Sequence, residues 1–259
     1  MARSNSTDKS AGEGPSRGAE LPGGLRQVKA VVFDTFGTVV DWRSSLIGQF
    51  EAFGRRRGIA ADWAGLVDAW RGGYEASKDK VRTGAVPWTN LDDLHREALD
   101  GLIEALGIEG LTEADRDWLN RGWHRLEGWP DAAEGLARLK RRFVIGPLSN
   151  GNVALLVNMA KHAGLPWDMI FSAEIFRHYK PHPDTYLGVG RLLGLEPREV
   201  MLAAAHNYDL RAAQGLGLRT AFLARPQEYG PHQTEDLGPE GDWDLVVRDL
   251  VELAERLET

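Results

Sequence analysis

Val31-Val32-Phe33-Asp34-Thr35-Phe36-Gly37-Thr38 reads as a buried strand that runs out into a turn carrying a carboxylate. Three β-prone apolar residues precede Asp34, the pattern of a parallel strand covered on both faces. Gly37 then allows the backbone a sharp turn close to whatever Asp34 faces. In open α/β sheets ligands bind beyond the carboxyl ends of the strands, where Asp34 would stand. Asp is also an ordinary turn residue, because its side chain bonds its own backbone. The stretch points to a strand of a parallel α/β sheet before it decides a chemistry.

Three further stretches follow in order. Phe143-Val144-Ile145-Gly146-Pro147-Leu148-Ser149-Asn150-Gly151 is a second apolar strand that ends in a hydroxyl, an amide and a glycine. Tyr179-Lys180-Pro181-His182-Pro183-Asp184-Thr185-Tyr186 places a lysine before a Pro-stiffened turn. Val200-Met201-Leu202-Ala203-Ala204-Ala205-His206-Asn207-Tyr208-Asp209 is a third strand that again runs into a carboxylate. With these four motifs in this order, residues 28 to 255 resemble the haloacid dehalogenase (HAD) superfamily, and within it the L-2-haloacid dehalogenases.

Chemistry separates the branches of that superfamily. Its phosphatases carry Asp-x-Asp in the first motif, where the second Asp protonates the leaving alkoxide, and they hold Mg²⁺ with acids of the fourth motif. Here the second Asp is replaced by Phe36, and Ala204 and Ala205 stand where phosphatases usually have Gly-Asp. Mg²⁺ needs near-octahedral oxygen ligands, and this motif set offers few. Halide leaves without a proton or a metal, so the expectation is a hydrolase of small 2-haloacids with no cofactor and no metal. A Mg²⁺-dependent phosphatase of phosphoglycolate type and a catalytically silent binding protein on the same fold remain open.

The resemblance implies roles residue by residue. Asp34 attacks the halogen-bearing carbon and forms an ester, which water then hydrolyses. Lys180 pairs with Asp34 and keeps it ionised. Asp209 serves or orients the hydrolytic water, and Thr38 holds an Asp34 oxygen. Ser149 and Asn150 take the substrate carboxylate, helped by main-chain N–H groups near Thr35 and Phe36. The same Ser149-Asn150 pair also reads as a helix-capping turn. Arg71, in Ala69-Trp70-Arg71-Gly72-Gly73-Tyr74, matches the arginine that meets the halide; Arg82 and the run Arg55-Arg56-Arg57 compete for that role. Tyr186 matches a tyrosine near the substrate carboxylate, or else packs on a helix face. His206 replaces an asparagine of the usual Ser-Ser-Asn, adding a group that titrates near neutral pH or narrowing the pocket. Asn207 and Tyr208 beside it count among the substrate contacts.

Composition fits such an enzyme. The 259 residues are 42% hydrophobic with a formal charge of −7, enough for an α/β core plus a small insert, and the absence of a basic stripe disfavours nucleic acid. The lack of cysteine excludes disulfides, thiolate metal sites and cysteine nucleophiles. No apolar run is long enough to span a membrane. Residues 1–25 lack the apolar core of a signal peptide and read as a disordered tail, so a cytoplasmic protein is expected. Residues 26–42 and 128–259 are assigned to a doubly wound, HAD-like α/β core. Residues 43–127 form a helical cap, in which Leu46, Phe50 and Phe53 recur at helical spacing. Trp63, Trp70, Trp88, Trp118 and Trp123 of that segment are expected mainly to pack its helices. Core strands are expected at 143–148, 168–172, 200–205 and 219–223, with a loop over 225–241 before a last strand and helix. The expected partners are a small haloacid and halide; a homodimer is suggested by the resemblance alone.

Overall fold

The computed structural model describes residues 24–258. Its centre is β1 (Ala30–Phe33), which pairs in parallel with β4 (Val144–Ser149) on one side and β6 (Val200–Ala204) on the other. Outside β4 lies β5 (Phe171–Ser172), which in the chain falls between α7 (Val153–Ala163) and α8 (Ala173–Phe176); outside β6 lie β7 (Arg219–Leu223) and β8 (Leu245–Val247). The order β5-β4-β1-β6-β7-β8 reverses direction of travel at β1, so the carboxyl end of β1 is the topological switch point. Ala203 of β6 accepts from the Asp34 amide at 3.1 Å, which fixes Asp34 just past the sheet edge at that point.

The alternation of β1 explains its unbroken apolar run. Val31 and Phe33 face the layer that holds Leu136 and Leu139 of α6 (Ala132–Leu139) and Leu250 and Leu253 of α11 (Leu250–Glu258). Ala30 and Val32 face the opposite layer, with Val189 of α9 (Pro183–Leu193) and Leu210 of α10 (Asn207–Gly215). Both faces are covered, as parallel sheets require. Gly135 permits close contact there, since a Cβ would meet the Leu250 backbone at 2.5 Å.

The strand expected over 168–172 shrinks to two residues. Asp168 captures the edge instead: its amide donates to the Ile145 carbonyl at 2.9 Å and its carboxylate accepts from the Ile145 amide at 3.0 Å. A side chain thus replaces one rung of the ladder. The strand expected over 219–223 forms over those residues, and those near 143–148 and 200–205 form within one residue of expectation.

Between β2 (Val40–Asp41) and β3 (Glu127–Gly128) the chain is helical: α1 (Trp42–Arg57), α2 (Trp63–Gly72), α3 (Tyr74–Arg82), α4 (Leu91–Ala105) and α5 (Glu113–Asn120), then a short 3₁₀ turn. Asp41, Asp62, Asn90 and Thr112 accept from backbone amides in the first turns of α1, α2, α4 and α5. β2 and β3 pair antiparallel, Val40 with Gly128 and Asp41 with Glu127, so the two ends of the helical stretch meet. Leu46, Phe50 and Phe53 are buried as their spacing predicts, among Trp63, Trp70 and Trp123.

Of the expected tail, residues 1–23 lie outside the described residues. Leu25 does not belong to a tail: it is buried and packs in the core with Val28. Among the described residues no helix is long and apolar enough to cross a membrane.

Candidate active site

Three strand-end segments and the loop before α9 bring their polar side chains together beyond the sheet. Thr35 closes the turn after Asp34 by accepting from the Val39 and Val40 amides, and Gly37 adopts φ +86° within it. That turn swings Thr38 back, so that its hydroxyl donates to Oδ2 of Asp34 at 2.9 Å while accepting from the Ala205 amide. Lys180 enters from the loop before α9, with its amide fixed on Oδ1 of Asn150 at 2.8 Å. Its ammonium donates to Oδ1 of Asp34 at 2.8 Å and to Oδ2 of Asp209, in the first turn of α10. Lys180 is 1% exposed and Asp209 not at all.

Such burial is costly for charge, and the partners offset it. Burial alone would push the Asp34 carboxyl up, but the Lys180 ammonium and His206 beside it hold it well below the usual carboxylate range. Lys180 loses hydration too, yet Asp209 and Asp34 raise it above the ordinary lysine value. Asp209 is shifted upward, by burial and by the nearby charge of Asp34, against the pull of Lys180. The result is an ionised carboxylate at a strand end, with its ammonium partner on one oxygen.

The helical stretch covers this edge. A cavity of about 540 Å³ is lined by Trp42, Arg71, Tyr74, His206, Tyr208 and Tyr229, among others. The Arg71 guanidinium lies 5.3 Å from the Trp42 ring and 4.5 Å from that of Tyr74, with Nη1 buried and unpartnered. The competing arginines stand elsewhere. Arg55 pairs with Glu51, Arg57 with Asp115, and Arg56 lies over Trp118. Arg82 binds Glu75 and Asp79 and donates to the Lys180 carbonyl, bracing the loop that carries the lysine. Phe36 sets its ring edge-on to Trp123 at 5.4 Å, which makes the turn apolar on that side.

The family model for haloacid dehalogenase-like hydrolases matches residues 28–217, a span that contains every side chain of the Asp34–Lys180–Asp209 cluster. The chain belongs to that family. Among solved structures, the L-2-haloacid dehalogenase PA0810 is 52% identical with TM-score 0.87, over 89% of this chain and 99% of that one. The defluorinating L-2-haloacid dehalogenase Rha0230 is 48% identical with TM-score 0.87, over 90% and 96%. The (S)-2-haloacid dehalogenase of Xanthobacter autotrophicus is 32% identical over 205 residues, 76% of each chain.

Several residues of this haloacid dehalogenase-like hydrolase take tasks other than those expected. Tyr186 does not face the cavity rim: it is buried and donates its hydroxyl to Oδ1 of Asp209 at 2.6 Å. Asn207 is spent on the following loop, bonding Asp236, Gly238, Glu240 and Trp243, so it holds that loop rather than offering its amide to a substrate. The Ser149 hydroxyl is fully buried and accepts from the Gly151 amide at 3.2 Å, closing the turn after β4, while the cap position of the following helix falls to Asn152. The Thr35 hydroxyl is buried without a partner. Tyr208 is 44% exposed, with its ring 5.8 Å from that of His206.

Sequence reasoning missed Trp42, Tyr74, Tyr229 and, above all, Glu228. Glu228 is 1% exposed, inside the 225–241 stretch read as loop. Its signal was positional: it follows β7, and residues after parallel strands are where sites are built. As for metal, the Lys180 ammonium stands between the carboxylates of Asp34 and Asp209. Among the described residues, the trio with metal-type donors in reach of one another is His178, His182 and Asp184, none of which lines the cavity.

Proposed function

We propose that this chain hydrolyses small 2-haloacids, of haloacetate or 2-halopropionate type, to 2-hydroxyacids through an ester on Asp34, without a metal. The observation that carries the reading is an Asp34 carboxylate held ionised by Lys180 and Thr38 at the switch point, beside an arginine-bearing cavity. The relatives named L-2-haloacid dehalogenase support the substrate class.

In the first step an Asp34 oxygen attacks C2 of the acid; the new C–O bond forms as the carbon–halogen bond breaks and halide leaves with the electron pair. Arg71, whose Nη1 lacks a partner, receives the anion. In the second step water adds to the Asp34 ester carbon and gives up a proton toward Asp209, and collapse releases the hydroxyacid and restores the carboxylate. Asn150, which already fixes the Lys180 backbone, contributes to holding the substrate carboxylate, with the main-chain N–H groups near Thr35 and Phe36. On this reading residues 43–127 act as a cap, supplying Arg71 and Tyr74 to a core made of 26–42 and 128–259. We place the enzyme in the cytoplasm, on the sequence expectation alone.

The test is a screen of fluoro-, chloro- and bromoacids for free halide in the presence of EDTA. Halide release unaffected by chelation is the expected result. Phosphate release that depends on Mg²⁺ would move the chain to the phosphatase branch, against the apolar Phe36, Ala204 and Ala205. A folded protein with neither activity would make it a binding protein.

A further inference from the structure

His206 stands between two carboxylates. Its Nδ1 lies 3.0 Å from Oδ2 of Asp34 and its Nε2 lies 2.9 Å from Oε2 of Glu228. A carboxylate only accepts hydrogen bonds, so an imidazole that serves one on each nitrogen carries both protons. Glu228 is itself fixed. Its other oxygen accepts from the Trp42 indole at 3.0 Å and faces Arg71 at 3.8 Å. The room for it is built into the nucleophile's turn: a Cβ on Gly37 would meet the Glu228 carboxyl at 2.1 Å. A buried acid from a distant loop has thus been admitted against the turn that carries Asp34.

We infer that Glu228 is a positioning residue that holds His206 as an imidazolium donor on Oδ2 of Asp34, where the charge of the second step develops. The inference rests on the aspartyl-ester reading above. Oδ2 already receives the Thr38 hydroxyl, whereas Oδ1 receives Lys180. If Oδ1 forms the new bond to carbon, Oδ2 becomes the ester carbonyl. Water attack at the ester carbon then moves an electron pair onto Oδ2, and two donors, Thr38 Oγ1–H and His206 Nδ1–H, face it. As the intermediate collapses, that pair returns to re-form the carbonyl and the hydroxyacid oxygen leaves with the proton drawn from water. His206 keeps its protons throughout; it supplies electrostatic stabilisation rather than acting as a base.

Other charges around the ring agree with this state. Esterification of Asp34 removes one anion from His206, and Glu228 remains. The remaining groups facing the imidazole are Tyr208, Tyr229 and, across Glu228, Arg71. Burial opposes the charge, but Glu228 and Asp34 together raise His206 well above the ordinary histidine value. This also answers what a histidine does in place of asparagine here. It brings a full positive charge, and that charge needs the second carboxylate.

The experiment compares wild type with Glu228→Gln, which keeps shape and removes charge. Turnover should fall roughly 10–100-fold, the scale on which orienting partners of a histidine act, with KM little changed. The first-turnover halide burst should be affected much less than steady turnover. Activity of the variant should fall with rising pH at a lower pH than in wild type, as His206 loses its second proton sooner. Wild-type turnover with an unchanged alkaline limb overturns the inference, as does a burst slowed as much as turnover. Should Glu228→Gln fail to fold, ¹⁵N-histidine NMR of the wild type decides, with His206 assigned by its loss in His206→Asn. An imidazolium at neutral pH supports the inference, and a neutral ring overturns it. If the wild type releases no halide from any haloacid, the ester reading fails separately, and the inference with it.

Discussion

Tyr186 donates its hydroxyl to Oδ1 of Asp209 at 2.6 Å, on the oxygen opposite the one Lys180 holds. Each oxygen of the proposed water partner therefore carries a donor from a different segment, the lysine loop and α9. Burial and the Asp209 charge push the Tyr186 phenol far above its usual value, so it stays a donor. Tyr186→Phe should lower folding stability by about 1.5–3 kcal/mol, the scale of a hydrogen bond to a charged group. Denaturant titration measures this, and an unchanged midpoint would show that the bond contributes nothing.

Asp34→Asn should lose about three or more orders of magnitude in turnover, because no other group can replace a covalent step. Asp209→Asn should instead slow ester hydrolysis, by about 10²–10⁴-fold if general-base help is lost. After mixing with bromoacetate, mass spectrometry should then find a carboxymethyl group on the Asp34 peptide. Single turnover of the wild type in ¹⁸O-water should label Asp34; label confined to the product hydroxyl would rule out a nucleophilic Asp34.

Arg71→Lys should not conserve function. The guanidinium carbon lies 5.3 Å from the Trp42 ring and 4.5 Å from the Tyr74 ring, and a compact, strongly hydrated ammonium does not replace a guanidinium in such a place. Loss of about 1–2 kcal/mol of such contact corresponds to roughly 5–30-fold in kcat/KM. Rates of chloride release from a chloroacid provide the comparison.

The dependence on pH follows from the directions of the shifts. Asp34 is held low by Lys180 and His206 in spite of burial, so the acid limb of kcat/KM lies below the range usual for carboxylates. Lys180 and His206 are held high by their carboxylates, so the alkaline limb lies above the ordinary histidine range. A broad plateau through neutrality is expected, and a limb at the ordinary histidine value would contradict it. Stability carries the same signs. The Asp34 contribution is present above its unfolded pKa and is lost as pH falls through the folded one. That of His206 is complete below its unfolded pKa and is lost as pH rises through the folded one.

Lys78 gives an opposite case. It is fully buried over the Tyr74 ring at 3.8 Å and bonded to Glu75, and burial pulls it down to about 7. The folded state then binds fewer protons than the unfolded chain between that value and the free-lysine value, so the cost of burying the ammonium is greatest at pH 7 and below. Lys78→Met should raise the melting temperature there, with the gain shrinking as pH rises toward 10. A gain that grows with pH would contradict the assignment.

What the sequence made legible was what local pattern carries. The strand ending at Asp34, the strand ending at Asn150 and the segment from Val200 to Asp209 each declare themselves by an apolar run and the polar residue after it. Arg71 was separable from its competitors only through resemblance, and its place beside two rings became visible in three dimensions. Glu228 was hidden because its partners, Trp42 and His206, lie 186 and 22 residues away, and nothing around it has a period. Asn207 was misjudged for the converse reason. It sits inside a recognisable motif, while its amide answers to residues 236–243 downstream.

The central place of β1 has a consequence in time. Its residues are made well before their partners, residues 144–147 and 200–203. During synthesis the strand that carries Asp34 must wait for more than a hundred later residues before either neighbour exists. Joining segments so distant in the chain is slow, since closure entropy precedes any reward from contacts. A chain arrested before β6 would own its nucleophile and the strands β1, β4 and β5, with neither His206 nor Asp209 to meet it. Activity therefore waits for β6 and the turn into α10, and truncations before that point should abolish it abruptly rather than by degrees.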